Sequence, residues 1–140
     1  MRPIRLSGWL RATPEDVHLA YQMVPKLKHM NLSISTSEQM IVGKWGGRLG
    51  EDDVIASMVQ ALEAGREHGA ESVSINAEDA SRTNLDFLIR FARAAKEHGA
   101  DRVRYCDTLG YDNPFSIYDT MKVLAETVEH IHRPRFALLK

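Results

Sequence analysis

The stretch Glu67-His68-Gly69-Ala70-Glu71-Ser72-Val73-Ser74 returns thirty positions later as Glu97-His98-Gly99-Ala100-Asp101-Arg102-Val103-Arg104. A repeat at this spacing marks one supersecondary unit used more than once. Each copy reads as the end of an amphipathic helix, a glycine able to take the left-handed C′ conformation, and a short β-branched run. That is the helix-to-strand joint of an α/β protein. Beyond each run lies a polar segment, Asn76-Ala77-Glu78-Asp79 in the first copy and Asp107-Thr108-Leu109-Gly110 in the second. The repeat offset gives Glu78 and Thr108 equivalent places just beyond the carboxyl ends of two neighbouring parallel strands. In α/β folds that rim is where ligands bind.

Working outward, Thr13-Pro14-Glu15-Asp16 opens a helix: Thr13 caps, Pro14 suits the first helical position, and the acids face the positive end of the dipole. Val17, Ala20, Tyr21, Val24 and Leu27 keep helical spacing, and Pro25 ends or kinks the helix. A strand is expected before it, over Ile4–Leu10, and another after it, over Met30–Ser35, leading to a Thr36-Ser37-Glu38 rim. Glycines make residues 41–50 a loop, and a mobile one. Glu51 opens the next helix, whose stripe is Val54, Ile55, Met58, Val59 and Leu62. A strand over Ser72–Ile75 follows, then a helix capped by Thr83 with Asp86, whose apolar face is Leu85, Leu88, Ile89, Ala92 and Ala95. A strand over Arg102–Cys106 leads to the loop 107–113 and a last helix opened by Asn113-Pro114, and the tail gives one more short strand. The chain is therefore α/β, with about four consecutive βα units and parallel strands. Such units build either an open doubly wound sheet or part of a (β/α)8 barrel, and a complete barrel takes about 250 residues. On the second reading residues 1–140 form a single partial TIM-barrel domain.

The bulk properties narrow the function classes. Of 140 residues, 44% are apolar and 26% charged, as in an ordinary globular domain. Eighteen basic residues against nineteen acidic leave a net charge of −1, which offers no footprint for nucleic acid or an anionic membrane. No apolar run approaches the ~20 residues of a membrane span, and Met1-Arg2-Pro3-Ile4 does not open a signal peptide. A single cysteine, Cys106, fits a reducing cytoplasm. A nucleotide-binding open sheet would need a Gly-rich phosphate loop, and Gly43, Gly46, Gly47 and Gly50 do not have that spacing.

Among single residues, Glu78 at a strand end can serve as acid, base or ligand for a polar substrate, or else cap the next loop. Thr108 can donate a hydrogen bond to a substrate carboxylate, or simply shape the turn before Gly110. Cys106 reads as a buried strand cysteine, since nothing near it in sequence supplies a base. His68 and His98 read as helix-end residues. His130 and His132 diverge by about 200° on a helix, so they too read as helix-end residues and not as a metal pair.

Two motifs carry a family resemblance. Asn76-Ala77-Glu78-Asp79-Ala80-Ser81-Arg82-Thr83 and Cys106-Asp107-Thr108-Leu109-Gly110-Tyr111-Asp112-Asn113-Pro114-Phe115 closely resemble the fourth and fifth βα joints of the homocitrate synthase and isopropylmalate synthase family. This is the metal-dependent TIM-barrel group that also contains citramalate synthases, Re-type citrate synthases and hydroxymethylglutaryl-CoA lyase. The likeness extends over roughly Leu6 to Val128. It implies condensation of enolised acetyl-CoA with a 2-oxo acid held on a divalent metal (Mg, Mn or Zn), followed by thioester hydrolysis. By position, Glu78 resembles the family's catalytic glutamate near the reacting groups, and Thr108 the threonine that bonds the oxo-acid carboxylate. Thr36 and Ser37 match the polar end of the third strand as substrate-binding positions, and Asn76 stands where many members have serine.

The family's opening Asp-Thr-Thr-Leu-Arg-Asp type strand and its later His-x-His-Asn-Asp type strand, which carry the metal ligands, are absent from this chain. Ile41-Val42 stands near the place where dicarboxylate-specific members carry arginine, with Lys44 and Arg48 the nearest cations. The acceptor is therefore left open between oxaloacetate, pyruvate and another acid. Two readings follow. The chain is a central piece of a Claisen-condensing acyltransferase, completed by a second chain or by homo-oligomer formation and inactive alone. Or it is a non-catalytic half-barrel or truncated gene product that binds carboxylates weakly.

Overall fold

The computed structural model describes residues 6–128 together with the backbone of residues 137–139. Five strands, β1 (Gly8–Arg11), β2 (His29–Ser35), β3 (Ser72–Glu78), β4 (Arg102–Cys106) and β5 (Ala137–Leu139), form one sheet. They lie side by side in chain order and every pair is parallel. A doubly wound sheet reverses its strand order at a switch point. Unbroken order with right-handed crossovers instead puts every connecting helix on the same face, which is the geometry of a barrel wall. Of the two architectures left open by the spacing, the structure is the partial barrel.

Four helices line that face: α1 (Pro14–Met23), α3 (Glu51–Glu67), α4 (Leu85–Glu97) and α5 (Pro114–Val128). Each packs on its neighbour in chain order. The strand residues beneath them, Met30, Leu32, Val73, Ile75, Ala77, Val103 and Tyr105, are buried with Val17, Met58, Leu62, Phe87, Phe91 and Leu124 in one core. At Gly65 on α3 an added Cβ would lie 3.2 Å from a Val73 methyl and 3.4 Å from the Met30 sulfur, so a glycine there lets the helix settle on β2 and β3. The repeated Gly69 and Gly99 have φ of 83° and 81°, the left-handed turn expected from the sequence. Among the described residues no helix is long and apolar enough to cross a membrane.

Several expectations need correction. Residues 41–45 are not loop: α2 runs Glu38–Trp45, with Ser37 as its N-cap, Ile41 buried beneath it and Gly46 closing it at φ 60°. One interior glycine, Gly43, costs a helix about 1 kcal/mol, which a cap and a buried contact offset. The cap of α4 is Asn84, whose Oδ1 accepts from the amides of Asp86 and Phe87, and not Thr83. Thr83 donates instead to the Asp79 carbonyl. Its face is carried by Phe87 and Phe91 with Leu88, Ala92 and Ala95, while Leu85 is exposed. The first strand begins at Gly8, and β3 extends to Glu78 and not only to Ile75. The readings of His130 and His132 lie outside the described residues.

Candidate functional site

Alternation along the strands sends a second set of side chains to the face without helices: Asn31, Ser33 and Ser35 on β2, Asn76 and Glu78 on β3, Arg104 and Cys106 on β4. On β2, β3 and β4 this face is largely polar, while Trp9 of β1 stands exposed on it beside Asn31. Deep in it, Asn76 is fully buried; its amide donates to the Leu32 carbonyl (2.8 Å) and its oxygen accepts from Arg104 (3.2 Å), which also reaches Asn31. Burial, then repulsion from Arg102, holds the Arg104 guanidinium below its ordinary pKa.

At the carboxyl end sits Glu78, the last residue of β3. Ser33 and Ser35 donate to its two oxygens at 2.7 and 3.0 Å, and the Lys44 ammonium, 3.2 Å away, comes down from α2. Lys44 also donates to the Ser35 hydroxyl. Burial pushes the Glu78 carboxyl up, but Ser33, Lys44 and Ser35 together outweigh it and hold the group below the ordinary carboxylate value. It is therefore ionised at neutral pH. The cluster opens into a cavity of about 450 Å³ between β1, β2, α2 and the start of α3, lined by Arg11, Trp45 and Asp53 besides Ser33, Ser35, Lys44 and Glu78.

The repeat equates Val73 with Val103, yet the sheet pairs Ile75 with Val103, a stagger of two residues. Stagger of this kind is what tilts strands in a closed barrel. It corrects the simple offset: Glu78 comes level with Cys106, and Thr108 lies two residues past the end of β4. Thr108 still reaches the same rim, because its hydroxyl accepts from the Asp79 amide at 2.9 Å. Its own proton has only a 3.5 Å contact with the Cys106 carbonyl and is free to turn to a ligand. Burial and the Glu78 charge push the Cys106 thiol up to about 11, so it stays protonated.

Thr36 and Ser37 are buried with their hydroxyls engaged. Thr36 donates to the Glu78 carbonyl (3.0 Å) and meets Thr83 (2.8 Å), while Ser37 donates to Asp79 and caps α2. Ser37 meets Asp79 directly and Thr36 reaches it only through Thr83, which donates to the Asp79 carbonyl; Asp79 is a residue whose part in the site the sequence did not reveal. Its carboxylate is 1% exposed, is paired with Arg82 and stands on a backbone of φ 59°. Burial pushes the Asp79 carboxyl up, and Arg82 and Ser37 more than compensate. The signals available in the sequence were the i, i+3 spacing of Asp79 and Arg82 and the serines at alternate positions of β2. Among the described residues no three His, Cys, Asp or Glu side chains are grouped to hold an ion.

Comparison with known proteins gives this site a context. Over 128 residues the chain is 59% identical to a citrate (Re)-synthase of Dehalococcoides mccartyi, covering 91% of this chain and 31% of that protein. It is 40% identical over 124 residues to a 2-isopropylmalate synthase of Caldanaerobacter subterraneus, covering 89% and 31%. The chain thus spans about a third of the length of these relatives. Its fold matches a hydroxymethylglutaryl-CoA lyase from Pseudomonas aeruginosa with a TM-score of 0.77 at 17% identity, over 97% of this chain and 45% of that one. The HMGL-like family model matches residues 2–135, nearly the whole of this sequence: the chain belongs to the HMGL-like family.

Proposed function

We propose that this chain carries the oxo-acid-binding wall of a citrate (Re)-synthase-type acyltransferase, which condenses acetyl-CoA with oxaloacetate and releases CoA by hydrolysis. The observation that carries the reading is the convergence, at one end of a parallel sheet, of an ionised Glu78, a cation that neutralises it, and a Thr108 hydroxyl with its proton free. In this role Thr108 donates to the oxo-acid carboxylate. Asn76, Thr36 and Ser37 act from behind, fixing the strand ends on which Glu78 and Thr108 stand. Lys44 lies where a substrate carboxylate would compete for it. Drawing the ammonium away removes one of the contacts that lower Glu78's proton affinity, so acid binding makes Glu78 a better base. That places a proton acceptor at the rim when the acetyl methyl must give up a proton.

No cluster of three His, Cys, Asp or Glu among the described residues stands ready for the family's divalent metal. That same observation, with β1 and β5 standing at the two edges of the sheet, favours a second reading of the chain by itself: a half-barrel subunit or truncated product that binds but does not turn over. Calorimetric titration of oxaloacetate, pyruvate and 2-oxoglutarate tests the proposal. Oxaloacetate should bind best, and Thr108→Ala and Lys44→Ala should each weaken it by about tenfold, the loss of one hydrogen bond or ion pair to a charged group. Equal affinities for the three acids, untouched by either substitution, would refute the site.

A further inference from the structure

Away from the rim, helices α1 and α3 meet through two histidines. His18 on α1 and His68, the C-cap of α3, bring Nδ1 and Nε2 within 2.8 Å of each other across fifty residues of sequence. Both side chains are exposed, and they line an open groove of about 410 Å³ with Tyr21, Gln22 and Pro25. His68 is held from behind by stacking on the Tyr21 ring, with centroids 4.4 Å apart and planes 16° from parallel. Gln22 stands one helical turn beyond His18 and so shares its face. The Tyr21 hydroxyl, in the same wall, is buried and has no hydrogen-bond partner.

We propose that this pair is a binding site for a borderline divalent transition metal such as Zn2+, separate from the rim at the opposite end of the sheet. Imidazole nitrogen is the favoured ligand for such ions. Two nitrogens on a tetrahedral zinc ion stand about 3.3 Å apart, so the rings need part by only about half an ångström. The change in protonation is small. The proton shared between the two nitrogens moves to the outer nitrogen of its own ring, both inner lone pairs turn to the ion, and no net proton is released. Gln22 and water complete the coordination, and Tyr21 gains a partner in that water. An ion so held bridges α1 to α3 and binds only the folded chain, so it must stabilise it.

The test is Zn2+ titration, by calorimetry and thermal denaturation, slightly above neutral pH. It uses the chain carrying His130→Gln and His132→Gln, so that those two residues contribute nothing. One equivalent should bind and raise the melting temperature. His18→Gln or His68→Gln should weaken binding by about tenfold or more and abolish the stabilisation, while His98→Gln changes neither. Because both rings are exposed, these variants should still fold cooperatively without metal. In imidazole nitrogen NMR, His18 Nδ1 and His68 Nε2 should be the resonances that move. Binding that survives both substitutions, or no binding at all, overturns the proposal and leaves the pair as a hydrogen-bonded staple between two helices.

Discussion

Glu78 shows how a single carboxylate can be kept charged in a half-buried place. Its folded-state pKa is lowered, so its contribution to stability is complete above its ordinary titration and is lost as pH falls through the folded value. Acid melts should show the chain losing stability below about pH 5, and Glu78→Gln should flatten that slope while Asp16 and Asp79 sustain the remainder. Replacing Ser33 and Ser35 with alanine removes two of the three donors and should raise the Glu78 pKa, as followed by carboxyl-carbon NMR. Asp79 presents a different balance, with an almost unexposed ion pair standing on a left-handed backbone. Asp79→Ala should lower stability in denaturant unfolding, because it strips Arg82 and Ser37 of their shared partner. Asp79→Gly should cost roughly 1 kcal/mol less, since glycine alone accepts that φ freely. Equal losses would show that the backbone there is unstrained. Little of this was legible beforehand. Glu78 and Thr108 stood out because the repeat put both near strand ends. Ser33, Ser35 and Asp79 did not, because their part in the site depends on which sheet face lacks helices and on a two-residue stagger that sequence spacing does not encode.

At the scale of elements, the helix–glycine–strand joints could be read directly, because Gly69 and Gly99 each do one local thing that few other residues can. The segment Glu38–Trp45 could not, because Gly43 and the glycines just beyond it signal a loop while its stability comes from Ser37 and from Ile41 packing beneath it. Ser37 is the discriminating position. As an N-cap its loss should cost about 1 kcal/mol. Since it also donates to Asp79, Ser37→Ala should loosen α2 and raise amide exchange across residues 40–45. A substitution without effect on those amides would restore the loop reading. The element matters because α2 delivers Lys44 to Glu78.

For the whole molecule, strand order and the one-sided helix layer fix the chain as a barrel wall, with β1 and β5 as its edges. Unpaired parallel edges template further pairing, so the purified chain should self-associate with rising concentration in light scattering. A monomer at all concentrations would mean that the edges are covered. Spacing alone left the barrel as one of two architectures, since strand order is a property of the packed sheet; the two motifs and their family resemblance were what pointed to the partial barrel. The most direct test of the central claim is a titration of oxaloacetate into the isotope-labelled chain, followed amide by amide in NMR. The account predicts that the largest shifts fall on Glu78, Asp79, Thr108 and the Lys44 turn, and vanish in Thr108→Ala. Shifts scattered elsewhere, or unchanged in that variant, would contradict it.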